Sequence, residues 1–122
     1  MTPTARAGED RLPLRPVVFQ VLLSLADGER HGYAIVQDIA ERSSARIRLE
    51  PGNLYRSLKF MLDEGLIEES DRRPIASKDD ERRRYYKMTR LGRQVALAEA
   101  ARLEAVAADA RSCLGGRRPG RS

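Results

Sequence analysis

Pro51-Gly52-Asn53-Leu54-Tyr55-Arg56-Ser57-Leu58-Lys59-Phe60-Met61-Leu62-Asp63-Glu64-Gly65-Leu66-Ile67 is the stretch whose reading decides the fold. Proline fits the first turn of a helix, where its missing N–H has no intrahelical partner anyway. Leu54, Leu58, Met61 and Leu62 then recur at three- and four-residue spacing, which predicts a helix with one buried stripe. Gly65 stops it. Upstream, Gly32, Ile35, Val36, Ile39 and Ala40 mark one face of a second helix running to about Arg42, and Ser43 to Glu50 is the turn between the two. Arg46-Ile47-Arg48-Leu49 alternates within that turn, so a very short strand fits there. Downstream, Leu66–Ser70 and Arg84–Met88 read as strands, separated by Asp71 to Arg83, which is too long for a tight hairpin and too charged to be buried. Helix, turn, helix, strand, long polar hairpin, strand is the plan of a winged helix-turn-helix.

The rest of the chain fits around that unit. A first helix is predicted from near Arg15, with Pro16 in its first turn, apolar marks from Val18 to Ala26, and a stop at Asp27-Gly28, where Gly28 is able to take a positive φ. Thr89 can cap a last helix of roughly 25 residues, about 37 Å long. The expected fold is mainly α with a small β-hairpin. Residues 1–13 form a flexible N-terminus, 14–89 the winged helix-turn-helix DNA-binding domain, 90–114 a C-terminal dimerisation helix and 115–122 a basic flexible tail.

Charge points to the partner. The net charge of +5 is carried by two segments. Asp71–Arg84 holds six Arg or Lys against four Asp or Glu, and the tail adds Arg117, Arg118 and Arg121. An excess clustered on a loop and a terminus favours a polyanion. The single Cys113 leaves no internal disulfide framework and fits a reducing cytoplasm. No apolar run approaches the ~20 residues of a membrane span.

On a helical wheel with Leu54 inward, Gly52, Asn53, Arg56, Lys59, Phe60 and Asp63 fall on the opposite face. Arg can pair bidentately with guanine and Asn with adenine. Gly52 lets the backbone approach a phosphate beside the free amides of the helix start. Tyr55 sits at the edge of the core stripe, its ring placed to pack and its hydroxyl to reach a phosphate. The bland alternative is that Arg56 and Lys59 only solvate an exposed face. Phe60 either touches a thymine methyl or packs under the wing or a neighbouring segment, and packing is the favoured reading. In the wing, Arg72, Arg73, Lys78, Arg82 and Arg83 would contact phosphates or enter the minor groove, adding affinity more than sequence information. Asp79-Asp80-Glu81 argues locally for a solvated loop instead.

Four motifs, His31-Gly32-Tyr33, Pro51-Gly52-Asn53-Leu54-Tyr55-Arg56, Asp63-Glu64-Gly65-Leu66-Ile67 and Tyr86-Lys87-Met88-Thr89-Arg90-Leu91-Gly92, resemble in order and spacing the PadR family of bacterial transcriptional regulators. With room for one helix after the wing, the chain resembles the smaller subfamily. The resemblance implies a homodimeric repressor of a palindromic promoter site. It also implies release by a small-molecule effector, a small aromatic compound in some relatives. Tyr33 and Tyr55 match the family's structural and DNA-proximal tyrosines. Glu50 and Phe60 depart from the pattern, where a Ser-like cap and a basic or polar residue are common.

Dimerisation also follows from the last helix itself. Leu103, Val106, Ala110 and Leu114 need cover, and a second subunit is the simplest one. Folding of that helix back on its own domain is the alternative. An enzyme is not indicated, because the single His31 and Cys113 lie far apart, and no phosphate-cradling loop or metal-ligand cluster is present. His31 reads as a cap or packing residue, and Cys113 as an inert apolar residue rather than a redox sensor. No cofactor is expected. The competing function is a winged-helix module that binds an acidic protein without reading DNA.

Overall fold

The computed structural model describes residues 11–70 and 84–115. Four helices and three short strands follow in the order α1 (Pro16–Ser24), β1 (Arg30–His31), α2 (Gly32–Arg42), α3 (Pro51–Asp63), β2 (Ile67–Glu69), β3 (Tyr85–Met88) and α4 (Arg90–Leu114). The periodic apolar positions supply one core. Val18, Val21, Leu22 and Leu25 meet Ile35 and Ile39 of α2, Leu54, Leu58 and Met61 of α3, and Leu66, Ile67, Tyr86 and Val95. Leu62 is only half-buried, at the edge of the α3 stripe. Leu12 and Leu14 pack on the same core from the N-terminal side.

Helix ends follow local chemistry. Pro16 and Pro51 sit in the first turns of α1 and α3. The His31 Nδ1 accepts from the Ala34 N–H at 3.2 Å, so His31 is the N-cap of α2. Thr89 caps α4 by accepting from the Gly92 N–H at 3.0 Å. Gly65 turns α3 into β2 at φ +77°, a conformation that costs an L-residue about 1–2 kcal/mol. The Glu50 side chain makes no cap hydrogen bond, in keeping with a carboxylate where a short hydroxyl or amide works better.

Two expectations need correction. Helix α1 ends at Ser24, earlier than Asp27-Gly28, and Gly28 does not take a positive φ. The Leu25 N–H reaches the Val21 and Leu22 carbonyls, so the last turn closes without a glycine. Second, Arg46–Leu49 is not a strand: it joins no strand of the sheet, and Ile47 and Leu49 pack on the core as an irregular segment. The expected β2–β3 hairpin is present, and β1 adds a third strand on the other side of β3, in the order β1-β3-β2. Arg30 and His31 pair antiparallel with Tyr86 and Tyr85. A two-residue strand has too little alternation to show in the sequence.

Candidate nucleic-acid interface

The outward face of α3 is where the wheel placed it: Gly52, Asn53, Arg56, Lys59, Phe60 and Asp63 are all exposed, and Tyr55, expected at the edge of the core stripe, is exposed with them. The Arg56 Nη2 donates to the Asn53 Oδ1 at 2.9 Å, so the two side chains form one donor-rich edge near the helix start. A Cβ on Gly52 would lie 3.5 Å from the Arg56 Nη1, an ordinary contact, so nothing inside the protein requires glycine there. With no side-chain cap from Glu50, the first amides of α3 remain available to an anion. Lys59 is partly neutralised by Asp63, with Nζ 3.6 Å from the carboxylate.

Phe60 packs against a neighbouring segment. The Arg15 guanidinium lies 4.8 Å from its ring centroid, a cation–π contact that leaves the ring at the rim of the surface. Tyr55 does not tuck into the core. It is 61 % exposed, as Tyr33 is at 63 %, and the two flank an apolar groove of about 230 Å³ floored by Val36, Leu49 and Leu54. Tyr33 is held by its neighbours. Its ring stacks on His31 at 6.4 Å between centroids, its hydroxyl accepts from the Gln37 Nε2, and the Tyr85 ring meets His31 edge-on at 5.4 Å.

The wing cations Arg72, Arg73, Lys78, Arg82 and Arg83 lie outside the described residues. At the wing's base, Arg84 donates to Glu69 at 3.0 Å and the Lys87 Nζ lies 3.8 Å from Glu68, its direct cross-strand neighbour. These opposed charges stabilise the strand pairing and take positive potential away from it.

Two partly buried polar knots went unread in the sequence. Burial pushes the Asp38 carboxyl up, but hydrogen bonds from Arg42 and Ser24 and the charges of Arg42 and Arg30 outweigh it and hold Asp38 below the usual carboxylate range. That knot ties α1 to α2 through the buried Ser24. On α4, Glu99 is 2 % exposed. Two hydrogen bonds from Arg102, at 2.8 Å each, outweigh burial and, with the Leu14 backbone N–H, hold Glu99 below its ordinary range. A signal for each was present in the acid–base spacings Asp38/Arg42 and Glu99/Arg102.

The inward stripe of α4 passes through Gly92, Val95 and Glu99, all buried. At 100° per residue the same stripe continues through Leu103, Val106, Ala110 and Leu114. Of these only Ala110 is half-covered, and Leu114 is 84 % exposed. Cys113 is exposed, with its thiol 3.9 Å from Asp109. Among the described residues no helix is long and apolar enough to cross a membrane, and no group of metal-ligating side chains is assembled.

Solved structures share this architecture. A transcriptional regulator from Clostridium thermocellum superposes with a TM-score of 0.68 at 19% identity, over 80% of this chain and 89% of that one. A PadR family transcription regulator from Clostridium difficile R20291 gives 0.67 at 21% identity, over 80% and 97%. Bacillus subtilis PadR, solved in complex with operator DNA, gives 0.58 at 24% identity, over 73% of this chain and 47% of that one. No curated protein matches in sequence. The family model does: residues 21–98 match the transcriptional regulator PadR-like family, and this chain belongs to it.

Proposed function

We propose that this chain is a cytoplasmic, dimeric repressor that reads a palindromic promoter site in double-stranded DNA and is released by a small-molecule effector. The exposed Asn53–Arg56 edge at the uncapped start of α3 carries the reading. Its donors suit the acceptor edge of guanine in the major groove, and the free amides beside it suit a backbone phosphate. The likeness to Bacillus subtilis PadR, itself solved with operator DNA, supports the same use of the fold here. The apolar stripe from Leu103 to Leu114 supports pairing of two copies through α4, which would match two half-sites about one DNA turn apart. The wing arginines and Lys78 add phosphate contacts in this reading.

The test is a fluorescence-anisotropy titration against the duplex immediately upstream of the chain's own gene, with a scrambled duplex as competitor. Binding to the upstream duplex is expected to survive the competitor, and Arg56→Ala is expected to cost about 1–3 kcal/mol of that discrimination. Equal binding to both duplexes by the wild-type protein would reduce the function to non-specific DNA affinity. The exposed Tyr33–Tyr55 groove is the one feature that favours a protein partner instead. Absence of DNA binding at low salt would move the conclusion there.

A further inference from the structure

The turn between α2 and α3 holds two arginines that the wheel of α3 does not include. Ile47 and Leu49 are anchored on the core. Alternation along Arg46-Ile47-Arg48-Leu49 therefore turns Arg46 and Arg48 outward, and both are exposed. The turn is braced rather than loose. The Ala45 N–H donates to the Ala40 carbonyl at 2.6 Å and the Ile47 N–H to the Ser43 Oγ at 2.9 Å. Ser44 and Ala45 are held at φ 55° and 66°, the left-handed region that L side chains avoid.

Their electrostatic state separates these two from the ion-paired cations around them. Arg30 and Arg42 face Asp38, Lys59 faces Asp63, and Arg84 and Lys87 face Glu69 and Glu68. Arg46 and Arg48 enter none of the ion pairs among the described residues; the one hydrogen bond of the two is Arg48 Nε to the Ala45 carbonyl at 3.4 Å. With Arg56 they bring three arginines to the leading end of α3 against one carboxylate, Glu50, which pairs with none of them, while the trailing end and the wing's base are ion-paired.

We propose that Arg46 and Arg48 form a phosphate clamp that grips the DNA backbone beside the groove entered by α3. The proposal rests on the DNA-binding reading above. Two guanidinium groups on a braced turn set the depth and angle of α3 without contacting bases, as phosphate contacts do. Such a clamp acts alike on every sequence, whereas Arg56 acts on the preferred one.

The experiment measures the salt dependence of binding to two labelled duplexes, the upstream sequence and a random sequence of equal length. Each phosphate neutralised contributes about 0.9 to the slope of log K against log salt. Arg46→Ala/Arg48→Ala is therefore expected to flatten the slope by about 1.8 per bound protomer, equally on both duplexes. Arg46→Lys/Arg48→Lys, which keeps the charges, is expected to retain most of it. Circular dichroism of both variants checks that the exposed substitutions leave the fold intact. An unchanged slope in the alanine variant would overturn the clamp while leaving DNA binding standing. So would a loss confined to the upstream duplex, since that marks base reading. Absence of wild-type binding to either duplex would overturn the clamp together with the reading beneath it.

Discussion

Gly92→Ala tests how α4 is joined to the winged helix, and two effects of opposite sign compete in it. Gly92 lies in the first turn of a 25-residue helix, where alanine is intrinsically better by about 1 kcal/mol. Packing says the reverse. A Cβ at position 92 would fall within the van der Waals envelope of the Leu66 carbonyl oxygen, and 3.0 Å from the Met88 Cγ. The carbonyl cannot step aside freely. It accepts from the Thr89 backbone N–H at 3.1 Å, and the Thr89 hydroxyl that caps α4 shares its one proton between the Gly65 carbonyl at 2.6 Å and the Leu66 carbonyl at 3.0 Å. Overpacking of this kind costs about 1–3 kcal/mol, and weakening one of these hydrogen bonds adds about 1 kcal/mol. Set against the propensity gain, the net loss is about 2 kcal/mol. For a domain of this size that lowers Tm by about 8–16 °C. The assay is thermal unfolding at matched protein concentration, since an associating protein gains apparent stability with concentration. Ala101→Gly, at an exposed position of the same helix, calibrates the propensity scale with an expected loss of about 1 kcal/mol. A Gly92→Ala protein as stable as wild type would refute the close approach of α4 to Leu66.

Two further outcomes follow from α4. Glu99 is held below its ordinary value near 4.5, so its contribution is complete above that pH and is lost as pH falls through the lower folded value. Glu99→Gln should cost about 2 kcal/mol in urea unfolding at pH 7, and the gap to wild type should close in acid; a gap constant from pH 7 to pH 3 would deny the ion pair its role. Val106→Glu, at an exposed point of the α4 stripe, should shift sedimentation from dimer to monomer with the helical signal retained. A dimer that persists, or a wild-type monomer, would place pairing elsewhere or nowhere.

The parts of the fold legible in the sequence are those that repeat. Leu54, Leu58 and Met61 announce α3 because three turns restate one face, and Thr89 announces α4 because a cap followed by a long periodic segment has few other readings. Arg30–His31 repeats nothing. It becomes a strand only because Tyr85 and Tyr86 offer a free edge, a tertiary fact. Arg46-Ile47-Arg48-Leu49 is ambiguous for a related reason. Its alternation admits a very short strand, although the same inward and outward alternation serves an irregular segment lying on a core. On α3 the exposed face was legible from the wheel, but the Asn53–Arg56 bond and the neutralisation of Lys59 depend on rotamers. Glu99 was hidden by its type, since a glutamate on an Ala-rich helix is ordinarily solvated.

Glu99 also explains why α4 divides where it does. Up to Val95 the inward stripe lies on the winged-helix core, and one turn later it meets the N-terminal segment through the Leu14 N–H. That segment reaches α3 as well, where Arg11 lies 3.9 Å from Glu64 and Arg15 covers Phe60. A hydrophobic residue at position 99 would leave the Leu14 amide without the carboxylate it now donates to, and an unpaired buried amide costs about 1–3 kcal/mol. The carboxylate is therefore the side chain that can end the intramolecular interface while holding residues 11–15 across both helices. Beyond Arg102 the stripe turns apolar again with no part of the described chain to cover it. The last three turns of α4 are thus set apart from the domain by chemistry as well as by length.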